Sequence, residues 1–383
     1  MENVNVDNVN MKDYRFISLG GGREVGGSCY AIKIGRNFLM LDAGIRNTSF
    51  NRVPDITPLY SLWGLDGLWE LDAVIISHSH IDHTGALPIF MRDINNVRIY
   101  SSQATPDMLS AQNKYDSSYN KARDVASISD ILIPVEFYKE FRVKDLALKF
   151  FPAGHITGAA MTLIQHEDRK ILYTGDFCDF NQYSVKGADV PEMKIDTLIC
   201  ESTYGYSKSI GAADLVELAQ RINMLMNHSG LIACPVRNSG KAPEIALAVR
   251  ECMHRKLIPE FDIWLDESSE AFCRVCEKWN GINILGEHIK PINDYIHGSR
   301  GLIISGENFS RQPNLAFNMS NHADCDGILD LIFKTKPDKI IFVHGVPLIK
   351  SPRNIVNEVR ERFGDSIEVI HGINGQEIPL LNK

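Results

Sequence analysis

A chain of 383 residues with 44% hydrophobic residues has room for two or three separately cored domains, in a composition ordinary for a globular protein. Its formal net charge of −8 excludes a polybasic, non-specific nucleic-acid binder, but leaves open a nuclease whose metal ions supply positive charge locally. The opening Met1-Glu2-Asn3-Val4-Asn5 lacks the basic-then-apolar order of a signal peptide, and no run of 18 apolar residues reads as a membrane span, so a cytoplasmic location without membrane contact is expected.

To about residue 205 the chain reads chiefly as strands, at 15–19, 29–34, 37–41, 73–77, 147–151, 161–165, 170–174 and 197–200, with few helical patterns. From 206 to 311 helix and strand alternate. Leu215, Leu218, Ile222 and Leu225 recur at helical spacing within 214–226. A strand at 231–234, a helix opening with Pro243, a strand at 261–265, a helix at 267–279 and a strand at 301–304 follow. That order predicts a small parallel α/β unit. From 312 to 383 the pattern gives a helix at 327–333, a strand at 339–343 and a helix at 353–363 stopped by Gly364.

The most informative residues are His78-Ser79-His80-Ile81-Asp82-His83, on the loop leaving the apolar run Val74-Ile75-Ile76. Imidazole and carboxylate are the ligands of zinc and related metals. Alternation along an extended segment puts His78, His80 and Asp82 on one side, with His83 turning in behind them. Four ligands within six residues exceed what one tetrahedral ion can take from one loop, which predicts two metals side by side. Asp42, His155 and Asp176 each stand beside glycine at the end of an apolar run. Singly each reads as a turn residue, but in this order after the histidine loop they are further site candidates.

Other patterns carry less. Gly20-Gly21-Gly22-Arg23-Glu24-Val25-Gly26-Gly27 misses the dinucleotide G-x-G-x-x-G by one place, and Gly240-Lys241 is followed by Ala242 rather than the Ser or Thr of a P-loop. Cys273-Arg274-Val275-Cys276 has no second pair and lies in a helical pattern with Phe272 and Trp279, so it reads as core packing. The eight cysteines, mostly inside apolar runs, read as reduced buried thiols. His166, His228 and His254 read as surface or core histidines.

In the order Asp42, His78/His80/Asp82/His83, His155, Asp176, the chain resembles the metallo-β-lactamase superfamily. Glu201-Ser202-Thr203-Tyr204-Gly205, Ser320-Asn321-His322-Ala323-Asp324 and Val343-His344-Gly345 resemble the three extra motifs of its β-CASP branch, and Gly240-Lys241-Ala242-Pro243-Glu244 that branch's glycine-basic-x-x-Glu stretch. The branch includes RNase J, the archaeal and eukaryotic 3′-end endonucleases and Artemis-like DNA nucleases.

The resemblance implies an α/β fold: an αββα sandwich from residues 1–205 and 312–383, with a β-CASP domain inserted at 206–311. It implies two zinc ions, one on His78, His80 and His155, the other on Asp82, His83 and His344, with Asp176 bridging. Asp82, Asp42, Glu201 and His322 are the expected catalytic residues: Asp42 orients ligands rather than binding metal, and His322 is a general acid held by Glu201. The expected activity is hydrolysis of RNA, single-stranded by preference, to 5′-phosphate and 3′-hydroxyl ends. Paired metals and a positioned acid suit in-line displacement at a phosphodiester. His344 favours RNA over DNA, because DNA-acting members tend to lack a histidine there. The alternatives are a DNA nuclease, a non-catalytic scaffold subunit and a small-molecule hydrolase of the wider superfamily. Glu201 and His322 are only 121 positions apart, so the inserted domain looks shortened; Ser305-Gly306-Glu307-Asn308 and Val346 also depart from the family pattern. A short substrate, a protein partner or a homo-oligomer fits such a chain.

Overall fold

The computed structural model describes residues 13–48, 50–94, 96–115, 128–207, 214–236, 240–306, 312–317, 319–346 and 354–382. Met1–Asn5, Glu307-Asn308 and positions 237–239 lie outside them. Among the described residues the strands are β1 (Tyr14–Gly20), β2 (Cys29–Ile34), β3 (Asn37–Leu41), β4 (Ala73–Ile75), β5 (Arg98–Ser102), β6 (Leu132–Val135), β7 (Glu140–Val143), β8 (Leu146–Pro152), β9 (Ala160–His166), β10 (Arg169–Tyr173), β11 (Thr197–Glu201), β12 (Leu231–Pro235), β13 (Asp262–Leu265), β14 (Ile289–Pro291), β15 (Gly301–Ser305), β16 (Lys339–Val343), β17 (Glu368–His371) and β18 (Glu377–Pro379).

They form a seven-stranded sheet ordered β18-β1-β2-β3-β4-β5-β6, a second ordered β17-β16-β11-β10-β9-β8-β7, and a four-stranded sheet ordered β12-β15-β13-β14. The two larger sheets face each other. Alternate residues of one strand, such as Phe16 and Ile17 or Ile199 and Cys200, enter different cores, as the two-residue period of a strand requires. Phe16, Tyr30, Leu41, Phe150, Tyr173, Ile199 and Ile341 fill the layer between the sheets. Leu59, Trp63, Leu87 and Phe90 from short helices cover the outer face of the first sheet. Leu329, Ile332 and Val359, from the helices Cys325–Thr335 and Ile355–Phe363, cover the second.

The four-stranded sheet is parallel throughout and packs with the helices Leu215–His228, Lys241–His254 and Glu267–Asn280 around a core of its own. That core continues past residue 311 to Leu315, with Phe317 and Met319 against it. The third helix buries Cys273 and Cys276 in it as free thiols. The second begins at Lys241, with Pro243 in its first turn, where a missing N–H costs nothing.

The strands with no clear sequence signal are β5, β6, β7, β14, β17 and β18. All but β5 are sheet edges. They are short and half exposed, and prolines 134, 291 and 379 sit in three of them, tolerable only where an unpaired N–H would face outward. Tyr100-Ser101-Ser102 deprives β5 of an apolar run.

The two large sheets are pinned together at one end by Lys339, which is buried on β16. Its ammonium donates to the Pro379 carbonyl at 2.8 Å, on β18 of the opposite sheet, and pairs with Glu368 at 3.1 Å. Thr197 donates to the neighbouring Leu380 carbonyl. Lys339→Met keeps an unbranched side chain, one atom shorter, but leaves that carbonyl without its charged donor. We expect the change to lower unfolding stability by about 1–3 kcal/mol, read from the chemical-denaturation midpoint; an unmoved midpoint would show that the cross-sheet bond contributes nothing.

Candidate metal centre

The candidate residues gather at one end of the sandwich, where parallel strands of both sheets run out. Asp42 follows β3 and His78 follows β4, its parallel neighbour. His155 follows β8, Asp176 follows β10, Glu201 ends β11 and His344 follows β16. β10, β11 and β16 are mutually parallel, so their carboxyl ends share an edge, the usual place for a ligand site in an open α/β sheet.

The histidine loop departs from simple alternation. Extended backbone lasts only to His80, and a helical turn, Ile81–Thr84, begins after it. Asp82 therefore turns away from His78 and His80 rather than sharing their side. Two donor clusters result: His78, His80, His155 and Asp176 in one, Asp82, His83 and His344 in the other. In the first, His80 Nδ1 lies 3.0 Å from His78 Nε2 and 3.1 Å from His155 Nε2. A tetrahedral ion with nitrogens roughly 2.0–2.1 Å away would space them at about 3.3 Å. In the second, His344 Nε2 lies 3.4 Å from Asp82. Asp176 spans both: its Oδ2 is 3.2 Å from His83 Nε2 and 3.8 Å from His78 and His155 Nε2, and its Oδ1 is 3.3 Å from His344.

Every imidazole of the two clusters except that of His80 is turned by a hydrogen-bond partner on one nitrogen. His83 Nδ1 meets Asp42 at 2.8 Å, His155 Nδ1 the Asn321 carbonyl at 2.7 Å, His78 Nδ1 the Ser77 hydroxyl at 3.0 Å and His344 Nδ1 the Thr203 hydroxyl at 3.0 Å. Such partners fix which nitrogen offers its lone pair. His83 Nε2 and Asp176 Oδ1 are buried with no hydrogen-bond partner, although buried polar atoms are almost always satisfied. These orphaned donors, aimed at a common space, fit a bound cation.

The electrostatics of the first cluster agree. Burial and the neighbouring histidines hold His78 far below the usual imidazole range, burial holds His80 down to about 4, and burial with nearby His322 holds His155 well below it. Three neutral imidazoles with lone pairs available are the form that binds metal. For Asp176, burial opposes the charge, yet facing His344 and His83 hold the carboxyl well below the ordinary carboxylate range.

Asp42 lies beneath the clusters rather than in them. Fully buried and at φ +56°, it accepts from the Ser77 N–H and hydroxyl at 2.7 Å and from the Tyr173 hydroxyl at 2.6 Å, besides facing His83. Gly44 is needed close by, because a Cβ there would run into the Asp82 carbonyl.

Glu201 and His322 form a third group with Asp176. Both Glu201 oxygens are already engaged, at 2.9 and 3.0 Å from His322 Nδ1 and accepting from the Phe177 and Thr203 N–H groups. That commits the carboxylate to orienting His322. Burial disfavours the imidazolium, but the Glu201 carboxylate outweighs it and lifts His322 to about 9. That favours a proton on His322, whose ring lies 4.5 Å, centroid to centroid, from that of His155 and is tilted 56° to it.

Sequence reasoning did not single out Ser77, Tyr173, Thr203 or Gln182. Thr203 lies inside a motif that was read for its glutamate, while Tyr173 carries no local signal. The glycine loop read as non-nucleotide proves to border the site: Gly21 accepts the His344 N–H at 2.7 Å, and Gly26 faces the Asp82 carboxylate. His166, left outside the site, bonds Tyr14 at 2.7 Å far from it in the chain.

Residues 22–177 match the metallo-β-lactamase superfamily. The chain carries a metallo-β-lactamase domain, and its curated relatives include YSH1 endoribonucleases and an RNase J-like protein, ribonucleases of the β-CASP branch. Endoribonuclease YSH1 of Yarrowia lipolytica is 30% identical over 74% of this chain. That of Mycosarcoma maydis is 27% identical over 94%, and the RNase J-like protein of Methanocaldococcus jannaschii 28% over 65%. The chain spans only 34%, 42% and 57%, respectively, of those proteins' lengths. A solved structure of a protein of unknown function from Enterococcus faecalis V583 shares the fold, with a TM-score of 0.60 at 14% identity, over 96% of this chain and 99% of that one. Among the described residues, no helix is long and apolar enough to cross a membrane.

Asp42→Ala would strand the Ser77, Tyr173 and His83 donors in a buried space. We expect about 3–5 kcal/mol of lost stability, measured by denaturation of the metal-free protein. A loss below about 1 kcal/mol would mean that water replaces the carboxylate without cost.

Proposed function

We propose that the protein is a two-zinc ribonuclease hydrolysing RNA phosphodiesters to 5′-phosphate and 3′-hydroxyl ends. The observation that carries this reading is a pair of buried donor clusters sharing Asp176, with the Glu201–His322 pair beside them. His78, His80 and His155 would hold one ion, Asp82, His83 and His344 the other, and Asp176 would bridge them. Ions held there would supply positive charge against the phosphate's and Lewis acidity toward water. Everything else falls to the chain. Asp42 holds His83 in place. Glu201 fixes His322 through Nδ1 and keeps it protonated, so its Nε2–H can be given to the departing alkoxide. The names of the relatives supply RNA as the substrate class. Residues 206–311 are read as an inserted β-CASP-like domain roofing the site. Eight buried free thiols suit a reducing, cytoplasmic compartment.

The direct test offers end-labelled RNA and single-stranded DNA of the same sequence, with and without chelator. RNA should be cleaved well ahead of DNA, and chelation should abolish cleavage. Equal or faster DNA cleavage would put the DNA-nuclease reading first.

Metal binding and proton transfer separate by mutation. Gently purified wild-type protein should approach two metals per chain. His322→Ala should retain both while turnover falls by roughly 10²–10⁴-fold. Asp176→Ala should lose metal as well as activity. An active His322→Ala enzyme would leave that side chain a packing role only.

A further inference from the structure

His155 sits on a loop held from two sides. Its own sandwich packs Ile156 and Ala159 into a core and donates to the Gly158 carbonyl from Ser102 at 2.6 Å; the 206–311 unit grips the other side. A Cβ on Gly240 would collide with Ile156, so the start of the Lys241–His254 helix lies directly against the residue after the histidine. Thr157 meets Cys276 at 3.0 Å and accepts from Asn280 at 2.9 Å, both on the Glu267–Asn280 helix. Asn280 donates also to the Ser184 carbonyl at 2.8 Å.

The remaining hold runs through Glu244, which is 4% exposed. One oxygen accepts the Tyr183 N–H at 2.7 Å; the other accepts the Ser184 N–H and hydroxyl at 2.8 Å. Gln182, next in the chain, donates through one nitrogen to the Gly154 carbonyl at 2.6 Å and to the His155 carbonyl at 3.0 Å. A buried carboxylate of the inserted unit is therefore linked in three short steps to the backbone of a proposed metal ligand.

We infer that Glu244 and Gln182 are positioning residues through which docking of the inserted unit sets the place of His155, and that the ion held by His78, His80 and His155 depends on this unit while the ion held by Asp82, His83 and His344 does not. The inference rests on the metal assignment above and adds the element that builds one of the two sites. A glutamine at 244 fits the space poorly in a specific way. Both oxygens receive backbone N–H groups, so whichever way the amide turned, its NH₂ would face an N–H.

The test is zinc titration of the metal-free protein against a chromophoric chelator, for wild type, Glu244→Gln, Gln182→Ala and Asp107→Asn. Asp107 accepts from Lys278 and Trp279 at 2.6 Å, so its change weakens one peripheral contact of the same interface and leaves the docking through Gly240, Glu244 and Asn280 in place. Partners behind metal ligands typically account for roughly 10–100-fold in affinity. Glu244→Gln and Gln182→Ala should each weaken one zinc by about that factor and leave the other alone, while Asp107→Asn keeps both. Gln182 is half exposed, so its variant decides the matter should Glu244→Gln fail to fold. Wild-type affinity at both sites in Gln182→Ala, or equal loss in Asp107→Asn, would overturn the inference. A wild-type protein that takes up no zinc would instead overturn the metal reading on which it stands.

Discussion

Asp176 is the constraint around which this end of the molecule is arranged. A carboxylate 2% exposed is costly unless positive charge or donors face it, and here the facing groups are imidazoles from three different parts of the chain. His83 comes from the first sheet's loops, and His155 and His344 from two loops of the second. Holding all of them against one carboxylate fixes how the two sheets' ends must stand relative to each other. The interior layer of Phe16, Tyr30, Phe150 and Tyr173 then spaces the sheets, and Tyr173 reaches across to Asp42 in the same stroke.

The supporting hydrogen bonds repeat one device. Every histidine but His80 has a partner behind it, whether carboxylate, carbonyl or hydroxyl, and each partner turns a lone pair inward. Glu201 does the same for His322, and against burial its carboxylate lifts that ring to about 9. Carboxylates likewise lift His83 and His344 above the ordinary imidazole range, while burial holds His78, His80 and His155 below it. Neighbouring imidazoles within one small space thus differ in their hold on a proton.

The small parallel unit packs closely against this arrangement. Its own core is closed, yet Gly240, Glu244, Cys276 and Asn280 reach out of it to the segments around His155 and Ser184. Tyr183 travels the other way and packs against that core. The junction is thus made of interlocked loops, and its polar members are buried and satisfied on both sides.

Much of this was legible in the sequence because ligand chemistry is dense and local. The histidine loop and the polar residues at strand ends announce themselves by residue type and spacing; the later Glu201, His322 and His344 motifs stand out only through the family resemblance. The apolar runs of the central strands announce themselves by composition; that Asp214 and Asp266 cap helices of the parallel unit emerges only from the structure. What the chain did not reveal locally was the geometry of what touches what. The helical turn at Ile81 divides the loop between two clusters, and only packing against Gly44 and Ser28 imposes it. Edge strands such as β7 and β17 owe their pairing to neighbours rather than to their own weak patterns. Tyr173 behind Asp42, Thr203 behind His344 and Glu244 behind the His155 loop are joined across 131, 141 and about 90 residues, respectively. The sequence by itself determined the donors and the order in which they occur; the tertiary structure alone decided which donor faces which, because a side chain's partners across such separations depend on how the sheets close, not on the residues beside it.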